Sequence, residues 1–123
     1  MAETGFRLRS STNEDPYAAM VFITAANFTA GDITVKGSLV GVVKETSTSG
    51  DENVLVYEAA KIIVPCVAVT SGAFLVGAPV YFDAADKEVN ESSSGNKLCG
   101  FVLEQPAVGA EEVLIHLVGY LGM

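Results

Sequence analysis

The sequence predicts an all-β fold, a small antiparallel β-sandwich or barrel with an extended N-terminal arm. Three observations favour this class. Short apolar runs rich in valine recur along the 123 residues, turn-forming residues separate these runs roughly every 8 to 12 residues, and no long segment repeats with the period of an amphipathic helix. Many short strands with regular turns are typical of antiparallel sandwiches and small barrels.

The chain begins with a polar segment, residues 1–17, which shows no clear period and includes the turn-like residues 13–16. We expect this segment to be an arm that is mobile until it contacts a partner. One β domain is expected over residues 18–123, a length that suits a single core.

Each predicted strand is an apolar, mostly β-branched run bounded by turn residues. A Gly-Asp pair ends the first run, a polar loop at 46–52 precedes the middle strands, and turns at 83–86 and 92–96 separate the later ones. Residues 71–78 are the only segment in which a short helix is predicted. The strands are predicted, in order, at residues 20–23, 33–36, 38–44, 53–58, 61–65, 79–82, 87–90, 97–103 and 112–118.

The last predicted strand is apolar on both faces. Alternate residues of a strand point to opposite sides, so Val113 and Ile115 share one face while Leu114 and Val118 share the other. Hydrophobic residues make up 50% of the chain, and its mean hydropathy is +0.39. Because large exposed apolar patches are rare on monomers, we expect part of this surface to face another subunit.

The chain is acidic, with 7 Lys and Arg against 15 Asp and Glu and a formal net charge of −8 at pH 7. A field of that sign repels phosphate, so we expect neither nucleic acid nor an anionic membrane as a partner. The N-terminus lacks the cationic and apolar regions of a signal peptide, and no apolar stretch is long enough to span a bilayer. We therefore expect the chain to fold in a cytoplasm.

Few residues are placed to do chemistry. The only histidine, His116, lies between Ile115 and Leu117 and is expected to be packed or hydrogen-bonded in a structural role. Cys66 and Cys99 each lie among apolar residues, which is typical of buried free thiols. The sequence contains no nucleophile elbow, phosphate loop or dinucleotide fingerprint. We expect no enzymatic activity, no catalytic residue and no cofactor.

An acidic cluster has two interpretations. Asp83, Asp86 and Glu88 are close enough in sequence to bind Ca²⁺ through carboxylate oxygens. The loop lacks a full set of ligands, so a hairpin turn whose aspartates bond their own backbone is favoured, and no metal site is expected. Lys87 lies among these residues and faintly resembles the modified lysine of lipoyl carrier domains, but the strands around it do not support that interpretation.

Several motifs occur in the order found in a known family. Residues 77–83, Gly-Ala-Pro-Val-Tyr-Phe-Asp, resemble its G-x-x-V-Y-W-D feature, with Phe82 where tryptophan is usual. Residues 96–102 are similar to its N-x-x-I-G-V strand, and residues 30–43 are similar to its opening. Over about residues 20–118, the chain resembles the DUF2190 family, whose members are tailed-phage capsid cement or decoration proteins.

The resemblance implies a structural protein of the virion, made in the host cytoplasm. Such a protein would bind the major capsid protein on the outer surface of the head, often as a homotrimer, and would stabilise the shell. An acidic protein on that surface stays away from the packaged genome. Arg7 and Arg9, in the predicted arm, are our candidates for capsid contact, because arginine binds carboxylates in a bidentate manner.

Two other classes of function stay open on the residues alone. A ligand- or carbohydrate-binding β module on the virion surface would need exposed aromatic faces, for which the chain offers no tryptophan and the tyrosines Tyr17, Tyr57, Tyr81 and Tyr120. An enzyme or carrier domain would depend on His116 or Lys87.

Overall fold

The computed structural model describes residues 17–123, and within that span every regular element is a β-strand. The predicted all-β class is therefore confirmed. The strands are β1 Tyr17–Ile23, β2 Ile33–Lys36, β3 Leu39–Val43, β4 Glu52–Pro65, β5 Pro79–Asp83, β6 Glu88–Asn90, β7 Lys97–Glu104 and β8 Glu112–Val118. The bounds of β2 and β8 coincide with their predicted spans.

The strands form one antiparallel sheet around the long strand β4. Their order is β2-β3-β4-β8-β7-β5-β6, and β1 pairs with β4 outside this path. Gly119, just after β8, donates its N–H to Tyr57 O at 2.6 Å and accepts the Val40 N–H at 3.1 Å. The strands β3 and β8 therefore follow one another along one edge of β4, while β1 occupies the opposite edge.

The two strands predicted at 53–58 and 61–65 are one continuous strand in the structure. Its pairing with β8 shifts register between Ala59 and Ile62. The intervening residues include no turn former, so the chain passes through this irregularity without leaving the sheet.

The sheet curls into a nearly closed barrel. Cys66, just after β4, forms a parallel bridge with Val89 of β6, and the Val67 N–H donates to Val89 O at 3.0 Å. This contact joins the end of β4 to the last strand of the sheet path, which identifies the predicted sandwich or barrel as a barrel. Its core is made of buried aliphatic side chains from both ends of the path, among them Val42, Val56, Ile62, Val102 and Ile115.

A second, smaller hydrophobic cluster holds β1 against the sheet. It consists of Phe22, Val43 and Leu55, with Phe28 and Leu39 packed against them. The Phe22 and Phe28 rings meet edge to face, with centroids 6.2 Å apart. Phe22 is the only residue of β1 that is buried, so one side chain anchors the whole strand.

The helix predicted at residues 71–78 is absent, and that prediction is wrong. The segment forms turns instead, with Gly72, Phe74 and Gly77 at φ of 84°, 54° and 87°. Left-handed backbone is incompatible with a right-handed helix. Phe74 adopts it because its side chain enters the barrel core, where only 1% of the residue is exposed, and because its N–H donates to the Glu91 carboxylate at 3.1 Å.

Candidate interaction surface

The first strand presents most of its apolar side chains to solvent. Val21 is 61% exposed and Ile23 is 57% exposed, and Met20, which points to the opposite face from Val21, is exposed as well. Among the described residues, β1 pairs only with β4. This strand of seven residues carries no charge, and within residues 17–123 no other strand pairs with Val21 and Ile23 on the side away from β4.

A second apolar group lies on two loops at one end of the barrel. Leu75, Val76 and Val108 are all more than half exposed. The loops are joined by a hydrogen bond from the Gly109 N–H to Val69 O at 2.8 Å. These tips are thus held in place by backbone contacts while their side chains face outward.

The C-terminal residues form a third exposed group, Tyr120, Leu121 and Met123. The Tyr120 hydroxyl donates to Glu58 Oε2 at 3.2 Å, and this bond raises the pKa of the tyrosine. The last residues are therefore tied to the outer face of β4.

The histidine has the structural environment that the sequence predicts. His116 Nδ1 lies 3.2 Å from Ala60 O, and its ring stacks on Phe101 with centroids 5.1 Å apart. It also forms part of the wall of a cavity of about 350 Å³ with Tyr17, Ala18, Glu58 and Ala60. The ring is packed and hydrogen-bonded, as expected.

The acidic cluster forms the predicted hairpin turn, in which an aspartate bonds its own backbone. One oxygen of Asp83 accepts the N–H groups of Ala85 at 3.0 Å and Asp86 at 3.3 Å. Burial raises the pKa of Glu88, and the neighbouring carboxylates of Asp86 and Asp83 raise it further. Within residues 17–123, no three His, Cys, Asp or Glu side chains are grouped to hold a metal ion.

Both cysteines are free and buried, as predicted. Desolvation raises the pKa of Cys66 and of Cys99 to about 12. A thiol with so high a pKa is protonated at neutral pH and is a poor nucleophile. These residues pack in the core and contribute to it as small apolar side chains.

Two of the four tyrosines considered for ligand binding, Tyr17 and Tyr120, are exposed. The Lys44 ammonium lies 5.5 Å from the centroid of the Tyr17 ring and donates to the Tyr17 hydroxyl at 3.0 Å. The cation therefore meets this tyrosine at its hydroxyl edge.

The predicted capsid contacts, Arg7 and Arg9, lie outside the described residues. Residue 17, the last of the predicted arm, is the first residue of β1. The exposure of β1 was not predicted from the sequence, although the lack of charge between residues 17 and 23 was a visible signal. None of the described residues belongs to a helix that could cross a membrane.

Comparison with known proteins gave one finding. No curated protein and no solved structure was found to match the chain. A family model described as phage cement protein matches residues 15–117, a span that starts two residues before β1 and reaches the penultimate residue of β8. Since this span covers most of the 123 residues, the chain belongs to the phage cement protein family, a family of structural phage proteins.

Proposed function

We propose that this chain binds the outer surface of a phage head, contacts the major capsid protein there and stabilises the shell without catalysing a reaction. The observation that carries the proposal is the family match over residues 15–117. The structure supports it with apolar side chains exposed on β1, on the loop tips and at the C-terminus. Exposed apolar groups of this kind are typical of surfaces that bind other proteins.

The charge of the chain supports the outer surface in particular. A net charge of −8 is repelled by the phosphates of a packaged genome, whereas the outside of the head is remote from them. A protein that binds only the assembled shell stabilises it by RT ln(1 + [L]/Kd) for each site, and many copies act together.

The chain is proposed to act as a homotrimer. Within residues 17–123, apolar side chains are exposed in three places, on β1, on the loop tips and at the C-terminus, which is more than contact with a flat shell would cover. Association of copies would bury one group and leave others for the shell. In a closed ring of three copies, every copy makes the same contacts with its two neighbours, so none is left with an unused contact surface.

Arg7 and Arg9 are proposed to contact carboxylates of the shell. They are the only arginines of the chain, and the guanidinium group forms two parallel hydrogen bonds with a carboxylate. The double change Arg7→Gln and Arg9→Gln should weaken shell binding and reduce its dependence on salt. If affinity and salt dependence are both unchanged in the full-length variant, the arm does not make this contact.

The test of the whole proposal uses heads of the same phage prepared without this protein. The purified chain is added, co-sedimentation gives the stoichiometry, and cryo-electron microscopy gives the position. We expect density on the outer surface and a higher disruption temperature for decorated heads. Absence of co-sedimentation at micromolar concentration, or density only inside the shell, would contradict the proposal.

A further inference from the structure

The exposed edge of β1 lacks the features that usually protect an edge strand. Proteins blunt such edges with charged residues, with proline or with very short strands. The two strands at the ends of the sheet path follow this rule, since β2 has four residues and ends at Lys36, and β6 has three. Strand β1 has seven residues, Tyr-Ala-Ala-Met-Val-Phe-Ile, and none of these protections.

The backbone of β1 directs specific hydrogen-bonding groups to this edge. The Lys44 N–H donates to Val54 O at 2.9 Å, so the polar groups of Val54 face β3. Val21 is opposite Val54, and its own N–H and C=O therefore point away from β4. The Thr24 N–H donates to Asp51 O at 2.9 Å, on the β4 side. Since neighbouring residues of a strand direct their N–H and C=O groups to opposite edges, those of Ile23 also point away from β4.

The surroundings of this edge are acidic. Glu52 is opposite Ile23, and Glu58 is opposite Ala18. Glu45 and Glu52 line a hollow beside Val21. The Lys44 ammonium also lies near this strand, where it donates to the Tyr17 hydroxyl at 3.0 Å. A strand added here would meet apolar side chains along its length and carboxylates at both ends.

A cavity lies beside the first residues of β1, on the outer face of the sheet. It has a volume of about 350 Å³, and its walls include Ala18, Glu58 and His116. Because Ala18 is small, a long side chain on an added strand would pass over it and reach the Glu58 carboxylate, which also accepts the Tyr120 hydroxyl. A lysine or arginine fits this path, since its stem is apolar and its end is cationic.

We propose that the edge of β1 that faces away from β4, at Val21 and Ile23, takes up an extended strand of the shell protein that carries apolar and basic residues. This inference rests on the proposed function and names the surface that performs it. Main-chain hydrogen bonds to Val21 and Ile23 supply affinity, and the carboxylates of Glu52 and Glu58 select the basic partner. A second copy of β1 lacks the basic residues that these carboxylates would bind, because the strand carries no charge.

The first test compares two variants of the full chain on undecorated heads of the same phage. Val21→Pro removes the outward N–H without removing a bond to β4, and it should weaken binding about tenfold or more. Val21→Ile keeps the N–H and the apolar surface and should bind like the wild type. Equal binding by Val21→Pro and wild type would overturn this inference while leaving shell binding established. Failure of the wild type to bind would overturn both.

Hydrogen exchange tests the same contact without substitution. The amides of Val21 and Ile23 should exchange rapidly in the free chain and slowly on the head, as measured by mass spectrometry of peptides that cover β1. Slow exchange of these amides in the free chain would show that the chain's own residues or a second copy occupy the edge. Exchange that stays rapid on the head would show that no strand of the shell protein pairs with it. Either result contradicts the proposal.

The role proposed for the carboxylates of Glu52 and Glu58 can be tested separately, with a control substitution elsewhere on the surface. The double change Glu52→Gln and Glu58→Gln should weaken binding about tenfold at low salt, and much less at high salt, where charges are screened. Glu111→Gln removes an exposed carboxylate from a loop remote from β1 and should bind like the wild type. Equal effects per carboxylate removed would show that net charge, and not this edge, determines affinity.

Discussion

At the scale of single residues, Gly119 shows how closely the strands approach one another. Its backbone lies between β3 and β4, and a Cβ built on it would overlap Val40 O and lie 2.9 Å from Tyr57 O. Both neighbours are backbone atoms of packed strands and cannot move aside individually. Only glycine fits this position.

We predict that Gly119→Ala destabilises the protein by about 3 kcal/mol or more, the upper range for overpacking. Gly37→Ala is the matched control, because the space around Gly37 is open and only its φ of 63° opposes a side chain. That change should cost about 1 kcal/mol. Urea denaturation measures both, and equal costs would contradict the steric explanation.

Glu88 is a residue whose charge opposes folding. Burial, together with Asp86 and Asp83, raises its pKa in the folded state. Because the pKa of Glu88 is higher in the folded than in the unfolded state, its protonated form stabilises the fold. This stabilisation is fully present below the unfolded-state pKa, near 4.5, and is lost as the pH rises through the folded-state pKa. At neutral pH the ionised carboxylate is therefore unfavourable.

We predict that Glu88→Gln raises stability at pH 7 by about 0.5 kcal/mol, the size found for partly exposed charges. Below the unfolded pKa the gain should vanish, because the wild-type carboxyl is then protonated. Thermal unfolding from pH 3 to 8 measures the difference. A gain that is the same at every pH would indicate a packing effect instead.

At the scale of elements, the turn segment 71–78 shows burial overriding backbone preference. Phe74 has the left-handed φ of 54°, which costs an L-residue roughly 1–2 kcal/mol. Burying its ring in the barrel is worth more than that cost. The neighbouring Val76 is 69% exposed and contributes little to folding.

We predict that Phe74→Ala destabilises the fold by about 3 kcal/mol, whereas Val76→Ala changes stability by less than about 0.5 kcal/mol. The two changes lie in the same turn, so denaturant midpoints compare them directly. If Val76→Ala lowers binding to phage heads without lowering stability, the loop tip is a contact surface. A large loss of stability in Val76→Ala would contradict its exposed position.

At the scale of the whole molecule, the barrel separates folding from association. Its core is filled by side chains of the sheet path and by Phe74 of the 71–78 turn, so the fold does not require burial of the exposed apolar groups on β1, the loop tips and the C-terminus. Those groups are available for partners. Folding of one copy therefore does not depend on burying these groups.

We predict a solution mass of three times the 12.8 kDa of one chain, measured by sedimentation at micromolar concentration. Burial of apolar surface provides the association energy, so the trimer should persist at high salt, unlike the shell contact. A monomer at all concentrations would contradict the trimer and leave the barrel intact. Val76→Ala serves as the control. If this variant is a monomer, the loop tip is the trimer contact, and if it stays a trimer, one of the other apolar groups is.

The sequence alone predicted much of the fold, because strand formation depends on local alternation and on turn residues. The predicted spans of β2 and β8 match the structure, as does the Asp83 turn, where the side chain bonds the backbone a few residues away. The family was also recognisable from motifs in their order along the chain.

Only the tertiary structure decided which apolar residues are hidden. Val21 and Val56 look alike in the sequence, yet Val21 lies on an open edge strand and Val56 lies in the core. Burial depends on which strands pair across long separations, and in this chain β4 meets β1, β3 and β8. This pairing of strands explains why Phe74 lies in the core, why two predicted strands form the single strand β4, and why Val21 lies at an edge. Packing energy is summed over the whole barrel, so it outweighs the preference of any one segment.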